Sequence, residues 1–244
     1  MIVRDAGDAW QVVLQTDHAD LSGALARAWA DRGPRHGSLV LAAERHDDGW
    51  AVWEQSPLVD GDGAPVNFLD VRVPAHLAFY RAGIAAIADE DPYAGLLVSM
   101  HGAGIYRRRY GRDPDLKLVH ADDVAELVEA FVEEQESGRP SRMGAAQADE
   151  ERLWVDYGLL QVYDRLSLHF CMRDVATEPA VLGDYRLEPA GAWDVAIDPY
   201  PFDPQPARFT LLRRVLPKRA WTQAEFREAF PTFAVERVEL TLRS

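Results

Sequence analysis

The sequence predicts a mainly α-helical protein, a helical bundle with a small antiparallel β-sheet built from an N-terminal hairpin, from C-terminal strands, or from both. Two patterns lead there. Apolar residues recur at three- and four-residue spacing through much of residues 17–172, as amphipathic helices require. Period-two alternation is confined to the first fourteen residues and to the Pro-rich stretch beyond Arg173. The expected organisation is a helical domain with its hairpin over residues 1–175 and a small α+β extension over 176–244, packed together as one globule.

Ile2-Val3-Arg4 and Trp10 to Leu14 flank a turn at Asp5-Ala6-Gly7-Asp8, which reads as a hairpin. Asp17 is placed to cap a first helix whose stripe is His18, Leu21, Leu25, Ala28 and Trp29, so His18 points inward. Gly33-Pro34 and Gly37 end that pattern. Ser38 can start a second helix in which Leu39, Ala42 and His46 share a face before Gly49. Residues 50–73, with Pro57, Gly61, Gly63 and Pro65, read as a long, partly ordered loop of the kind that borders sites. Helices are expected from Pro74 through Ile87, from Pro92 to Tyr106, and from 122 to about Gln135. A break at Glu136 to Ser141 precedes a long helix from near Ala145 to Met172. Its stripe is Leu153, Tyr157, Leu160, Asp164, Leu168 and Cys171, which puts Asp164 in a core slot. Strands are expected at Trp193–Ile197, Arg208–Val215 and Ala234–Leu242. Thr222 and Glu225 form a capping box for a short helix between the last two.

The 244 residues are 48% hydrophobic, enough for a sizeable core. A net charge of -14 argues against nucleic acid and against anionic membrane surfaces, both of which draw on Lys and Arg. The expected partner is a small, phosphorylated molecule, and an anionic ligand then needs a local basic pocket. One cysteine, Cys171, can form neither an internal disulfide nor a thiolate zinc site. No signal design opens the chain and no apolar run reaches membrane-span length, so a cytoplasmic location is expected.

Four groups of ionisable residues fall where the pattern predicts apolar interior: His18, His46-Asp47, His101 and Asp164. An unpaired buried charge costs several kcal/mol, so such groups pair with one another or bind a cation. Adjacent helical residues differ by about 100°, so His46 and Asp47 can share one ion only near a helix end, where Gly49 and Trp50 place them. Imidazole with carboxylate suits Mn²⁺, Fe²⁺, Ni²⁺, Zn²⁺ or Mg²⁺, one or two per chain. Such an ion acidifies water and polarises a phosphoryl oxygen, so hydrolysis near neutral pH becomes accessible.

The order of a lone His, a His-Asp pair and a late Asp in Tyr163-Asp164-Arg165-Leu166-Ser167 resembles the HD-domain superfamily of metal-dependent phosphohydrolases over residues 15–170. Residues 14–19, 45–50, 97–101 and 164–167 also look like an uncharacterised, mainly bacterial family catalogued as a domain of unknown function. The resemblance implies an HD-like helical fold with His18, His46, Asp47 and Asp164 as ligands of a first metal. It leaves the substrate open.

His101, followed by Gly102-Ala103-Gly104, can ligate a second ion or contact the substrate, and His76 is a lesser candidate. Arg107, Arg108 and Arg109 can supply the phosphate contact, with Arg107 and Arg108 the two assigned to it; the alternative for the run is a solvated face. Asp17 and Asp48 read as caps, Cys171 as core packing, and Gln15 as a turn residue or a partner of the ligands. Two competing functions stay open. One is a di-iron oxygenase that recruits His76 and His101; the other is a non-catalytic sensor with a structural or decayed metal site.

Overall fold

The computed structural model describes residues 1–112 and 122–244. The predicted hairpin forms from β1 (Ile2–Asp5) and β2 (Ala9–Val13). The helical body follows: α1 (Gln15–Ala28), α2 (His36–Arg45), the short α3 (Ala51–Glu54), α4 (Val73–Glu90), α5 (Pro92–Tyr106), α6 (Ala125–Ala146) and α7 (Glu150–Met172). Beyond it lie β3 (Ala180–Leu182), β4 (Tyr185–Gly191), β5 (Asp194–Asp198), β6 (Ala207–Pro217), α8 (Gln223–Ala229) and β7 (Glu236–Arg243). Thr222 and Glu225 make the expected capping box at α8.

The helical bundle with a small antiparallel sheet is overturned by the strands. All seven belong to one sheet in the order β1-β2-β6-β7-β5-β4-β3, and it is mixed, because β5 runs parallel to β7. The long strand β6 joins the two ends of the chain: residues 207–213 pair with β7, and residues 214–217 pair with β2. The β3–β4 hairpin carries no alternation signal, since Pro189 and Gly191 interrupt β4 at a register shift. Period two then splits the core. Ile2, Val13 and Leu211 face the helices, whereas Met1, Val12 and Leu216 face Trp221, Phe226 and Phe230 around α8.

At the centre of the helical layer is α5, buried continuously from Tyr93 to Gly104 because it is apolar all round. Asp91 caps it, its Oδ1 accepting from the Tyr93 and Ala94 amides at 2.8 and 3.0 Å. That arrangement is worth about 1 kcal/mol. The expected break at 136–141 does not occur: α6 runs through Pro140, where Arg142 donates to the Gln135 carbonyl and side chain. Asp17 is not the cap of α1. Glu54 takes that role, its carboxylate accepting from the Gln15 amide at 2.6 Å and from the Thr16 amide at 3.4 Å. A carboxylate 39 residues away satisfies the helix start, so the local sequence carried no sign of it.

Two glycines set the site's geometry. At Gly23 α1 crosses α2 so closely that a Cβ would lie 2.5 Å from Glu44 Cβ and 2.8 Å from its Cα. At Gly49 a Cβ would lie 2.0 Å from the Phe79 carbonyl oxygen of α4. Gly23→Ala must therefore move α1 against α2, and with them His18 against His46. The expected loss is about 1–3 kcal/mol in urea unfolding; an unchanged midpoint would contradict this packing.

Candidate metal centre

His18 lies one turn into α1, His46 is the C-cap of α2, Asp47 follows it, and Asp164 sits in the middle of α7. All four are at most 3% exposed. The sequence placed them on three distant stretches, and the fold brings them together. His18 Nε2 lies 3.3 Å from His46 Nε2, 3.2 Å from Asp164 Oδ1 and 3.7 Å from Asp47 Oδ2. His46 Nε2 is 3.5 Å from each of the same two carboxylate oxygens. A cation held about 2.1 Å from each donor spaces neighbouring ligand atoms roughly 3.0–3.4 Å apart, so the cluster has the right dimensions.

Hydrogen bonding fixes which nitrogens face inward. His46 Nδ1–H donates to the Ala43 carbonyl at 2.9 Å. The Ser167 hydroxyl gives its proton to the Asp164 carbonyl at 2.9 Å, so its oxygen accepts from His18 Nδ1–H at 2.7 Å. In the neutral state both Nε2 atoms therefore present lone pairs to each other and to two carboxylate oxygens. Four acceptors meeting out of water need a proton or a cation between them. Burial opposes charge on His46, but Asp47 and Asp164 outweigh it and raise its pKa to about 9. The centre thus attracts positive charge, and His18, His46 and Asp47 can hold a metal ion.

A second ring of contacts fixes the carboxylates. Asp47 accepts from Tyr80 Oη at 3.0 Å and from Gln15 Nε2 at 3.2 Å. Asp164 Oδ2 accepts from Arg109 Nη1 at 2.5 Å. Burial raises the pKa of Asp164, yet Arg109, His18 and His46 override that and keep it well below the carboxylate range. Arg109 also donates to Gln161 Oε1, which turns the Gln161 amide nitrogen toward His101 Nδ1 at 3.3 Å. His101 Nδ1 therefore accepts, and its proton is on Nε2. Burial keeps this imidazole neutral, its pKa well below the ordinary value.

Of the three consecutive arginines, Arg109 alone reaches the centre. Arg107 pairs with Glu129 and Glu136, Arg108 is exposed, and neither lines the cavity. The turn that achieves this is strained: Arg108, Arg109 and Tyr110 all have φ near +50°, a conformation costing roughly 1–2 kcal/mol for each residue with a Cβ. His76 is buried against Trp50 and Tyr80, with Nδ1 2.6 Å from Tyr106 Oη, and burial lowers its pKa to about 4. Among the described residues, one group of three or more ligand side chains converges. Cys171 is a free, buried thiol, as expected of core packing.

His18, Asp47, Asp164 and His101 line a cavity of about 650 Å³, within the range of small-molecule sites. His46 lies behind them. The long 50–73 segment does border the site: its end, from Phe68, forms one wall and leads to the exposed Arg72. Gln15 Oε1, also on the cavity, is buried with no hydrogen-bond partner among the described residues. Sequence reasoning passed over Tyr80, Gln161 and Ser167. The available signal was spacing, since Gln161 and Ser167 flank Asp164 by three residues on one face of α7.

The family model described as "Protein of unknown function (DUF3891)" matches residues 1–218. The chain belongs to that family. No curated protein and no solved structure matches it. Nothing in these matches relates this family member to the HD-domain superfamily, and the seven-stranded sheet departs from the helical fold that resemblance implied. No helix among the described residues is long and apolar enough to cross a membrane.

Proposed function

We propose that this protein is a metal-dependent hydrolase of a small molecule, with a phosphoester the first bond to test. The observation that supports the reading most is the facing pair of imidazole Nε2 atoms, 3.3 Å apart, beside two buried carboxylates that line a cavity. His18, His46, Asp47 and Asp164 would hold one divalent cation of the Mn²⁺, Fe²⁺, Ni²⁺, Zn²⁺ or Mg²⁺ class. Bound there, such an ion lowers the pKa of water and polarises the ester. Gln15 is placed to orient that water, because its amide nitrogen is held by Asp47 while its oxygen has no donor among the described residues. His101, neutral with its proton on Nε2, would donate to a substrate oxygen. Arg72, at the mouth, would meet an anionic group.

The test is a phosphoester screen with Mn²⁺, Fe²⁺ and Ni²⁺ in turn, run beside a chelated sample and His18→Ala. Hydrolysis is expected with at least one metal and is expected to fall at least about 100-fold in the other two samples, the scale on which metal ligands and the contacts that orient them act. Full metal occupancy with no turnover on any ester would point instead to a sensor or structural role.

A further inference from the structure

The walls of the cavity differ in character from its inner end. Phe68, Val71, Val73, Ile105, Leu168 and Met172 line it and are each only partly buried, so apolar surface faces the space that a ligand would fill. The charges are sparse. Among the described residues, four carboxylates, those of Asp47, Asp70, Asp123 and Asp164, stand against two guanidinium groups, those of Arg72 and Arg109. Arg109 is committed to Asp164 and Gln161. A divalent cation would bring this set to neutrality and leave no surplus positive charge for a polyphosphate. Covering the apolar walls, in contrast, is favourable for any ligand with a hydrocarbon body.

We infer that the cavity takes an amphiphile, with a hydrocarbon body along the Phe68–Val73 segment, Ile105, Leu168 and Met172, and a single hydrolysable head of no more than two negative charges at the His/Asp centre. This rests on the metal-dependent hydrolase reading and narrows its substrate class. Nucleoside di- and triphosphates fall outside it.

Calorimetric titration of the Mn²⁺-loaded full chain with alkylphosphonates of two, six and ten carbons, and with pyrophosphate, tests the inference. The phosphonates carry the head but cannot be hydrolysed. Affinity is expected to rise about three- to fourfold per added methylene while the chain remains within the cavity, with pyrophosphate at least about tenfold weaker than the longest chain. Ile105→Gln and Met172→Gln are expected to flatten that slope while keeping the wild-type manganese content. Affinity independent of chain length, tightest binding by pyrophosphate, or an undiminished slope in both variants would each overturn the amphiphile assignment. A manganese-replete protein with a flat slope fails this inference alone. A protein that takes up no manganese fails the hydrolase reading beneath it.

Discussion

Arg109→Met is expected to destabilise the metal-free protein by about 3–5 kcal/mol, because it strands the buried carboxylate of Asp164 without its guanidinium partner. Arg109 is 4% exposed and Asp164 is 2% exposed, so the pair is buried and little bulk solvent reaches the contact. Arg107→Met is the control. Its pair with Glu129 lies at the surface, where such pairs are worth less than about 1 kcal/mol. A saturating divalent cation should restore much of the loss in Arg109→Met, since the ion neutralises the same carboxylate from the opposite side. Urea unfolding of both variants with and without Mn²⁺ measures this. Equal losses in the two variants, or no recovery with metal, would show that Asp164 is not the charge at issue.

The contribution of His46 to the stability of the metal-free protein is expected to fall between pH 6.5 and 9. His46 has a folded pKa of about 9 against 6.5 unfolded. A raised pKa contributes stability that is complete below the unfolded value and is lost as pH rises through the folded one. The loss is on the order of 2–3 kcal/mol over that window. The cation replaces the proton between His46, His18 and the carboxylates, so the metal-loaded protein should show little of this slope. Metal affinity should accordingly rise about tenfold per pH unit across the same range as one proton is released per ion bound. Melting temperatures recorded from pH 6 to 9.5 in chelator and in Mn²⁺ separate the two curves. Parallel curves would mean that the proton on His46 and the ion do not compete for one place.

The residues of the centre were legible in the sequence because each violates a clear apolar pattern: His18 and Asp164 occupy core slots of regular helices, and His46 ends a third. The helix over Pro92–Tyr106 and the last three strands were readable for the same reason, strong local periodicity. What joined them was not. Pairing of β2 with β6 links residues some two hundred positions apart, and register across that distance is set by tertiary packing on both faces of the sheet. The choice of Arg109 among three arginines depends on a left-handed turn at residues whose side chains disfavour it, so no local rule selects it. Glu54 at the start of α1 and Gln161 beside His101 likewise act through contacts that exist only once the chain is folded.

Elemental analysis of the purified protein beside His46→Ala and Asp164→Ala, after equilibration with a divalent cation and removal of the excess, addresses the centre itself. The wild type should retain one ion at this site, and each variant should lose it while keeping its helical signal. A wild type that holds no more metal than the variants would contradict the account.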